Sequence, residues 1–308
     1  MVRSYMLLLF CVTVWGSNVV FGAILVQEFP PMLLAVARLL VTTAVYACIG
    51  FSARYLPKPT LQDLRLLVPI GLLGTVINQT SFYIGLQYAD PTTSALLLSL
   101  SPVMIGFLAA VFLRERITAR MAAGSVAAII GVFAVVGKGG TLQLNVGELL
   151  MIAAMLSFSV STVLVRKLIL RRDPFFVTAY STMIGTAALL PISLGLEPVS
   201  DMFGAAPWAW ALLIGTALVM QVLCGLIWNR QMQIVGASQA AVFLNMQPFV
   251  AMVLGYLLLG HAVTLQQGIG AVLIVGGVVW ATSRSRKSKA ESRPVPAKPG
   301  SAGNTVAE

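Results

Sequence analysis

Charge is scarce in this sequence, and acid is scarcer than base. Of 308 residues, 10 are Asp or Glu, 20 are Lys or Arg and one is His, against 58% hydrophobic residues. So little charge cannot solvate a globule of this size, and the chain requires a bilayer as its solvent. The lone histidine and the three cysteines, Cys11, Cys48 and Cys224, supply no set at metal-ligand spacing. The cysteines fall inside apolar runs and read as small packing residues. Also missing are a Gly-x-Ser-x-Gly element, an intramembrane Asp pair and a phosphate-binding glycine loop ending in Lys-Ser or Lys-Thr. Their absence removes the usual sequence signs of a hydrolase or an ATP-driven pump, and no cofactor is expected.

Long apolar runs are present instead. A helix crosses roughly 30 Å of hydrocarbon with about twenty residues. About ten such runs follow one another, centred near Val14, Thr42, Thr75, Met104, Ala128, Ser157, Thr186, Val219, Met252 and Gly276. Arg3 and the apolar stretch 5–26 suggest a secretory leader. The stretch is too long for one and no small-residue cleavage pattern precedes Glu28, so a retained first span is expected. The expected fold class is an all-α integral membrane protein of about ten transmembrane helices.

A net charge of +10 would suit a nucleic-acid partner, but the positions of the charges argue for another cause. With the N-terminus in the cytoplasm, Arg54, Lys58, Arg65, Arg114, Arg116, Arg120, Arg166, Lys167, Arg171, Arg172 and Arg230 fall inside. Glu28, Asp90, Glu197 and Asp201 fall outside, with Lys138. This is the positive-inside pattern. It predicts a multi-pass protein of the plasma or inner membrane with both termini cytoplasmic. The expected partners are the lipid bilayer and a small-molecule substrate, not nucleic acid, and the oligomeric state stays open. Residues 286–308, rich in Lys, Ser, Pro, Ala and Gly, cannot bury enough apolar area to order themselves, so a disordered basic tail is expected.

The chain also repeats itself. Ser101-Pro102 returns as Gln247-Pro248, 146 positions later, and the same shift carries Gln87 to Gln233, Leu113 to Leu259, Thr118 to Thr264, Gly124 to Gly270 and Gly131 to Gly277. Prolines and glycines that keep register over roughly fifty residues indicate duplication. The expected units are a first five-helix repeat over 1–140, a second over 141–285, and the tail. With an odd number of spans in each, the second repeat starts on the opposite side of the membrane, so the repeats are inverted. Many secondary transporters share that arrangement.

Trp15-Gly16-Ser17-Asn18, Ala37-Arg38, Gly85 to Tyr88, Leu98 to Pro102 and Leu113 to Thr118 resemble segments of the EamA family of the drug/metabolite transporter superfamily. Leu226 to Asn229, Gly236-Ala237, Met246-Gln247-Pro248 and Gly268 to Gly277 resemble the matching segments of that family's other repeat. The resemblance implies a ten-helix, five-plus-five inverted-repeat carrier of small metabolites with a central cavity. The chain departs from the family pattern in one place, where Gly260-His261 stands opposite Glu115 of the first repeat.

Several residues are candidates for contact with a substrate. Arg38 is the one ionisable residue expected well inside a span, where an uncompensated charge costs on the order of 3 kcal/mol. It either attracts a substrate carboxylate or phosphate, or holds helix-end carbonyls and neighbouring amides. Pro102 and Pro248 remove backbone donors and predict helix breaks or hinges. Ser99, Ser101, Asn245 and Gln247 beside them either contact substrate or satisfy the freed backbone. Asn78, Gln79 and Tyr83 form one polar strip, and Gln221, Trp228 and Asn229 form its counterpart; both suit a cavity lining or interhelical packing. Trp15 and Asn18, with Ser157 and Ser161, are further candidates. Gly124, Gly131, Gly270 and Gly277 are expected to permit close helix contact. His261 is a titratable group near an outer helix end.

No intramembrane Asp or Glu is expected, which argues against proton antiport and leaves exchange or uniport open. The leading expectation is a secondary transporter, not an enzyme, that exports small polar metabolites such as amino acids by alternating access. Nucleotide-sugar or sugar-phosphate carriage, drug carriage and, more remotely, a membrane enzyme are the alternatives.

Overall fold

The computed structural model describes residues 2–52, 56–113, 123, 126–127, 130, 137–138, 141–142, 144–235, 240–241, 243–260 and 263–282. Helices α1 (Val2–Glu28) and α2 (Pro31–Ser52) are followed by α3 (Leu61–Tyr88), which turns π-helical over Leu72–Ile77. The next span is broken into α4 (Pro91–Leu98) and α5 (Ser101–Leu113). A two-residue antiparallel pairing, β1 (Gly137–Lys138) with β2 (Thr141–Leu142), precedes α6 (Val146–Ile169) and α7 (Pro174–Leu196). Helix α8 (Pro207–Val235) is π-helical over Ala217–Leu223, and α9 (Gln247–Leu259) and α10 (Leu265–Thr282) complete the bundle.

Among the described residues, seven helices are long and apolar enough to cross a membrane, and shorter apolar helices cover Leu244–Leu259 and Leu265–Gly277. The run expected around Ala128 falls largely outside the described residues. So do Gly124, Gly131, Arg114 to Thr118, His261 and the tail 286–308.

Local chemistry explains where helices begin. Asp90-Pro91 and Asp173-Pro174 open α4 and α7: each proline sits in the first turn, where no amide hydrogen is needed, and each aspartate accepts from a first-turn amide. Thr60 with Asp63, and Asn145 with Glu148, form reciprocal capping boxes at the starts of α3 and α6. Two caps come from distant parts of the chain. Glu197, at the end of α7, accepts from the Met32 and Leu33 amides at 3.2 and 2.8 Å, and Glu28, at the end of α1, accepts from the Ala206 amide at 3.2 Å.

Asp63 also receives Arg172 in a forked pair, with Nε to Oδ1 at 2.9 Å and Nη2 to Oδ2 at 2.7 Å. The hydrogen-bonded carboxylate holds the Arg172 guanidinium above its ordinary pKa, so it stays charged.

The two larger apolar clusters among the described residues fill the bundle. One joins Val20, Leu25, Leu34, Met151 and Leu213, the other Leu8, Leu67, Val177, Trp228 and Leu244. The outer surface is equally apolar: Leu9, Phe10, Leu72, Phe112, Val253, Leu257, Val272 and Trp280 are all exposed. A surface of this kind is stable only against lipid.

Helices α3 and α6 cross closely because both carry glycine there: a Cβ on Gly147 would meet the Ala89 amide nitrogen at 2.6 Å and the Gly85 carbonyl at 2.8 Å. The glycines expected for this role within the described residues, Gly270 and Gly277, are buried in α10. Cys11 and Cys224 are buried as expected, whereas Cys48 is exposed at the helix surface; it packs nothing in the interior.

Candidate functional site

The two π-helical segments lie at nearly the same 146-residue offset and are a feature that composition does not reveal. Shifted by 146, Leu72–Ile77 corresponds to 218–223, and the second segment covers Ala217–Leu223. A π turn holds one extra residue and rotates the side chains that follow it, so such turns often accompany functional sites. Here they turn Gly74, Asn78 and Gln79 on one side, and Met220, Gln221 and Gly225 on the other, towards a single cavity of about 250 Å3.

Breaks in the other two helices complete this cavity. Helix α4 ends at Leu98, and α5 resumes at Ser101 just before Pro102; at the equivalent place Leu244–Met246 forms a tighter 3-10 turn ahead of Pro248. Pro102 cannot donate to the Leu98 carbonyl, and the Ser101 hydroxyl donates to it instead at 2.5 Å. The Ser99 hydroxyl donates to the Leu96 carbonyl at 2.6 Å. In the second repeat the Gln247 amide donates to the Leu244 carbonyl, which the proline leaves free.

Eight of the residues singled out as candidates for substrate contact line the cavity: Trp15, Asn18, Arg38, Asn78, Gln79, Ser101, Gln221 and Gln247. The others do not. Tyr83 is fully buried behind Arg38, Ser99 is buried against its own helix, and Asn245 is buried with neither side-chain polar atom hydrogen-bonded. Trp228 and Asn229 line an adjoining cavity of about 180 Å3, shared with Ser161, that meets the first along Trp15, Gly74, Phe158 and Gly225. Ser157 donates to the Ala154 carbonyl at 3.0 Å.

The polar wall is a hydrogen-bonded chain that links helices far apart in sequence. Asn78 donates to the Ala154 carbonyl at 2.9 Å, Gln79 donates to Asn78 at 3.1 Å, and Gln221 reaches Gln79 at 3.5 Å. Thr42 donates to Gln221 at 2.9 Å and lies 2.8 Å from the Arg38 carbonyl. Trp15 donates to the Met220 carbonyl at 2.8 Å, and its ring packs on Trp228 with centroids 4.9 Å apart.

Arg38 is the charged member of this wall. It has no exposed surface; Nη1 donates to the Tyr83 hydroxyl, and Nη2 lies 3.7 Å from the Met220 sulfur. Its Nε has no partner, nor has the Asn18 Oδ1, and no acidic side chain reaches the guanidinium among the described residues. An uncompensated cation and unfilled donor and acceptor positions therefore lie buried in the wall of the cavity, beside the aromatic side chains of Trp15, Phe82 and Phe158. No three His, Cys, Asp or Glu side chains gather as a metal would need, among the described residues.

Sequence reasoning missed Met220, Gly74, Gly225, Phe158 and Thr42. The repeat held the signal for several of them. Gly74 and Met220, Gln79 and Gly225, Leu98 and Leu244, and Ser101 and Gln247 are each 146 apart, and both members of all four pairs line the cavity. Applying the offset to Gln79 identifies Gly225 directly.

Apolar helices around a polar, cation-bearing cavity define a multi-pass helical membrane protein. The chain belongs to the EamA-like transporter family, whose model matches residues 2–137 and again 145–283. It is similar to an uncharacterized transporter of Bacillus subtilis (strain 168), YyaM, at 28% identity over 72% of this chain and 74% of that protein. A second from the same organism, YetK, is 26% identical over 89% of this chain and 85% of its own length. A Streptantibioticus cattleyicolor protein named as a probable terminal-alkyne amino-acid exporter is 26% identical over 84% of this chain and 86% of its own. A solved crystal structure shares the fold, with a TM-score of 0.69 at 19% identity over 91% of this chain and 96% of that one.

Proposed function

We propose that this protein is a secondary transporter that exports small polar metabolites, amino acids or closely related compounds, by alternating access of two inverted five-helix repeats. The observation that carries the reading is the cavity lined by residues from both repeats, in which Arg38 lacks an acidic partner and Asn18 lacks a donor. A substrate carboxylate compensates the guanidinium, and a substrate ammonium or hydroxyl donates to the Asn18 and Gln247 amides. The bond chain from Asn78 to Thr42 holds the facing amides in orientation. The helix breaks before Pro102 and Pro248 are the flexible points that let one repeat move against the other.

Cavity size favours this substrate class over the alternatives. Pockets for drug-sized ligands measure about 300–1,000 Å3, whereas the central cavity measures about 250 Å3. A free amino acid suits that volume better than a nucleotide-sugar does. The similarity to a protein named as an amino-acid exporter supports the same class.

The test is counterflow in liposomes with purified full-length protein, against amino acids, nucleosides, sugars, phosphorylated sugars and cationic drugs. Accumulation of amino acids or related carboxylates is expected. Exclusive accumulation of phosphorylated sugars or drugs overturns the substrate class, and no movement of any member by verified folded protein overturns the transport reading. Varying external pH and sodium identifies a coupling ion.

A further inference from the structure

We propose that the end of the bundle where α1 begins and α8 ends binds one anionic phospholipid through its head group, of the phosphatidylglycerol type. A second cavity, of about 530 Å3 and separate from the central one, lies between those helices. It is lined by Arg3, Ser4 and Leu7 from α1 and by Arg230, Gln231 and Ile234 from α8.

Neither arginine has a hydrogen-bond or ion-pair partner among the described residues. Two such guanidiniums facing one cavity repel each other, and the N-terminus of α1 adds positive potential beside them. A phosphodiester anion relieves both effects, since each guanidinium fork matches two phosphate oxygens.

Gln231 narrows the choice of head group. Its side chain is only 7% exposed, and its Oε1 is buried with no partner. The oxygens of a phosphodiester only accept, so a phosphodiester with no further donor leaves this acceptor unsatisfied. A glycerol head group carries hydroxyls that donate to it, whereas choline carries no donor. Leu7 and Ile234 supply the apolar side of the cavity, and Ile234, 59% exposed, joins it to the lipid-facing surface. That continuity favours a membrane lipid over a soluble phosphodiester. Basic pockets between membrane helices are suited to this recognition.

Native mass spectrometry of the full-length protein, titrated with phosphatidylglycerol and separately with phosphatidylcholine, tests the site. One phosphatidylglycerol is expected to bind at about tenfold lower concentration than phosphatidylcholine, whose choline cation is repelled by the two guanidiniums and offers Gln231 no donor. The Arg3→Gln/Arg230→Gln variant is expected to lose that preference, and Arg3→Gln alone, a change at an exposed helix end, to lose part of it. Gln231→Leu is expected to weaken phosphatidylglycerol binding while leaving the weaker phosphatidylcholine binding unchanged. Wild-type selectivity in the arginine variants overturns the proposal. So does displacement of the lipid by an equal concentration of soluble glycerophosphoglycerol or inorganic phosphate, which would mark a site for a free anion.

Discussion

Arg38 and Tyr83 hold one another inside the bundle: Nη1 donates to the phenol oxygen, and the guanidinium carbon lies 5.5 Å from the ring centroid. This contact orients the cation towards the cavity without neutralising it. A buried guanidinium left in that state costs on the order of 3 kcal/mol, which fold stability alone does not explain. Arg38→Met is therefore expected to leave thermal stability unchanged or raised. Counterflow of carboxylate substrates should fall about tenfold or more, the loss that follows from removing a charged hydrogen bond of about 1.5–3 kcal/mol. Arg38→Lys should recover part of it. A variant that loses stability and keeps its transport kinetics assigns Arg38 to structure.

Asn245 provides a second separation of function from stability. Both polar atoms of its side chain are buried without partners, a condition that costs about 1–3 kcal/mol. Asn245→Leu is expected to raise the midpoint of thermal unfolding, measured by near-ultraviolet circular dichroism. Reduced counterflow in the same stabilised variant would show that the amide serves the transport cycle, and a fall in the midpoint would show that it is satisfied in the membrane.

The glycines make opposite predictions at two positions. Gly147→Ala drives a methyl into the backbone of Ala89 and Gly85, and overpacking of that kind costs about 1–3 kcal/mol. Gly215 has nothing within 4 Å of an added Cβ, so Gly215→Ala should be neutral or stabilising by about 0.5–1 kcal/mol through helix propensity. Unfolding midpoints of the two variants, measured side by side in one detergent, check both signs.

Glu197 ties the end of α7 to the start of α2 by accepting two backbone amides. Glu197→Ala leaves both donors without that partner and is expected to cost about 1 kcal/mol, as loss of a helix cap does. Hydrogen exchange should quicken at Met32 and Leu33. Protection unchanged at those two amides would show that the cap does not hold in the membrane.

The apolar runs, the duplicated Pro102 and Pro248, and the isolated Arg38 were all legible in the sequence, because burial in lipid, loss of a backbone donor and the cost of a membrane charge act on single residues. The lining of the cavity was only partly legible. Ser99 and Ser101 stand two apart beside the same proline, yet Ser101 lines the cavity and Ser99 is buried against α4. The π-helical turns were not readable at all, since a shift of the backbone bonding pattern by one residue leaves no mark in composition.

By itself, the sequence determined that this protein is helical and resides in a membrane, since hydropathy is a property of the chain alone. The tertiary structure decided which polar groups share a space. Trp15 meets Met220 and Trp228, Gln79 meets Gln221, and Glu197 caps α2 because helices far apart in sequence pack side by side. The physical reason is that in lipid an unpaired polar group finds no water and must find another part of the protein, and only the packing of the helices determines which part that is.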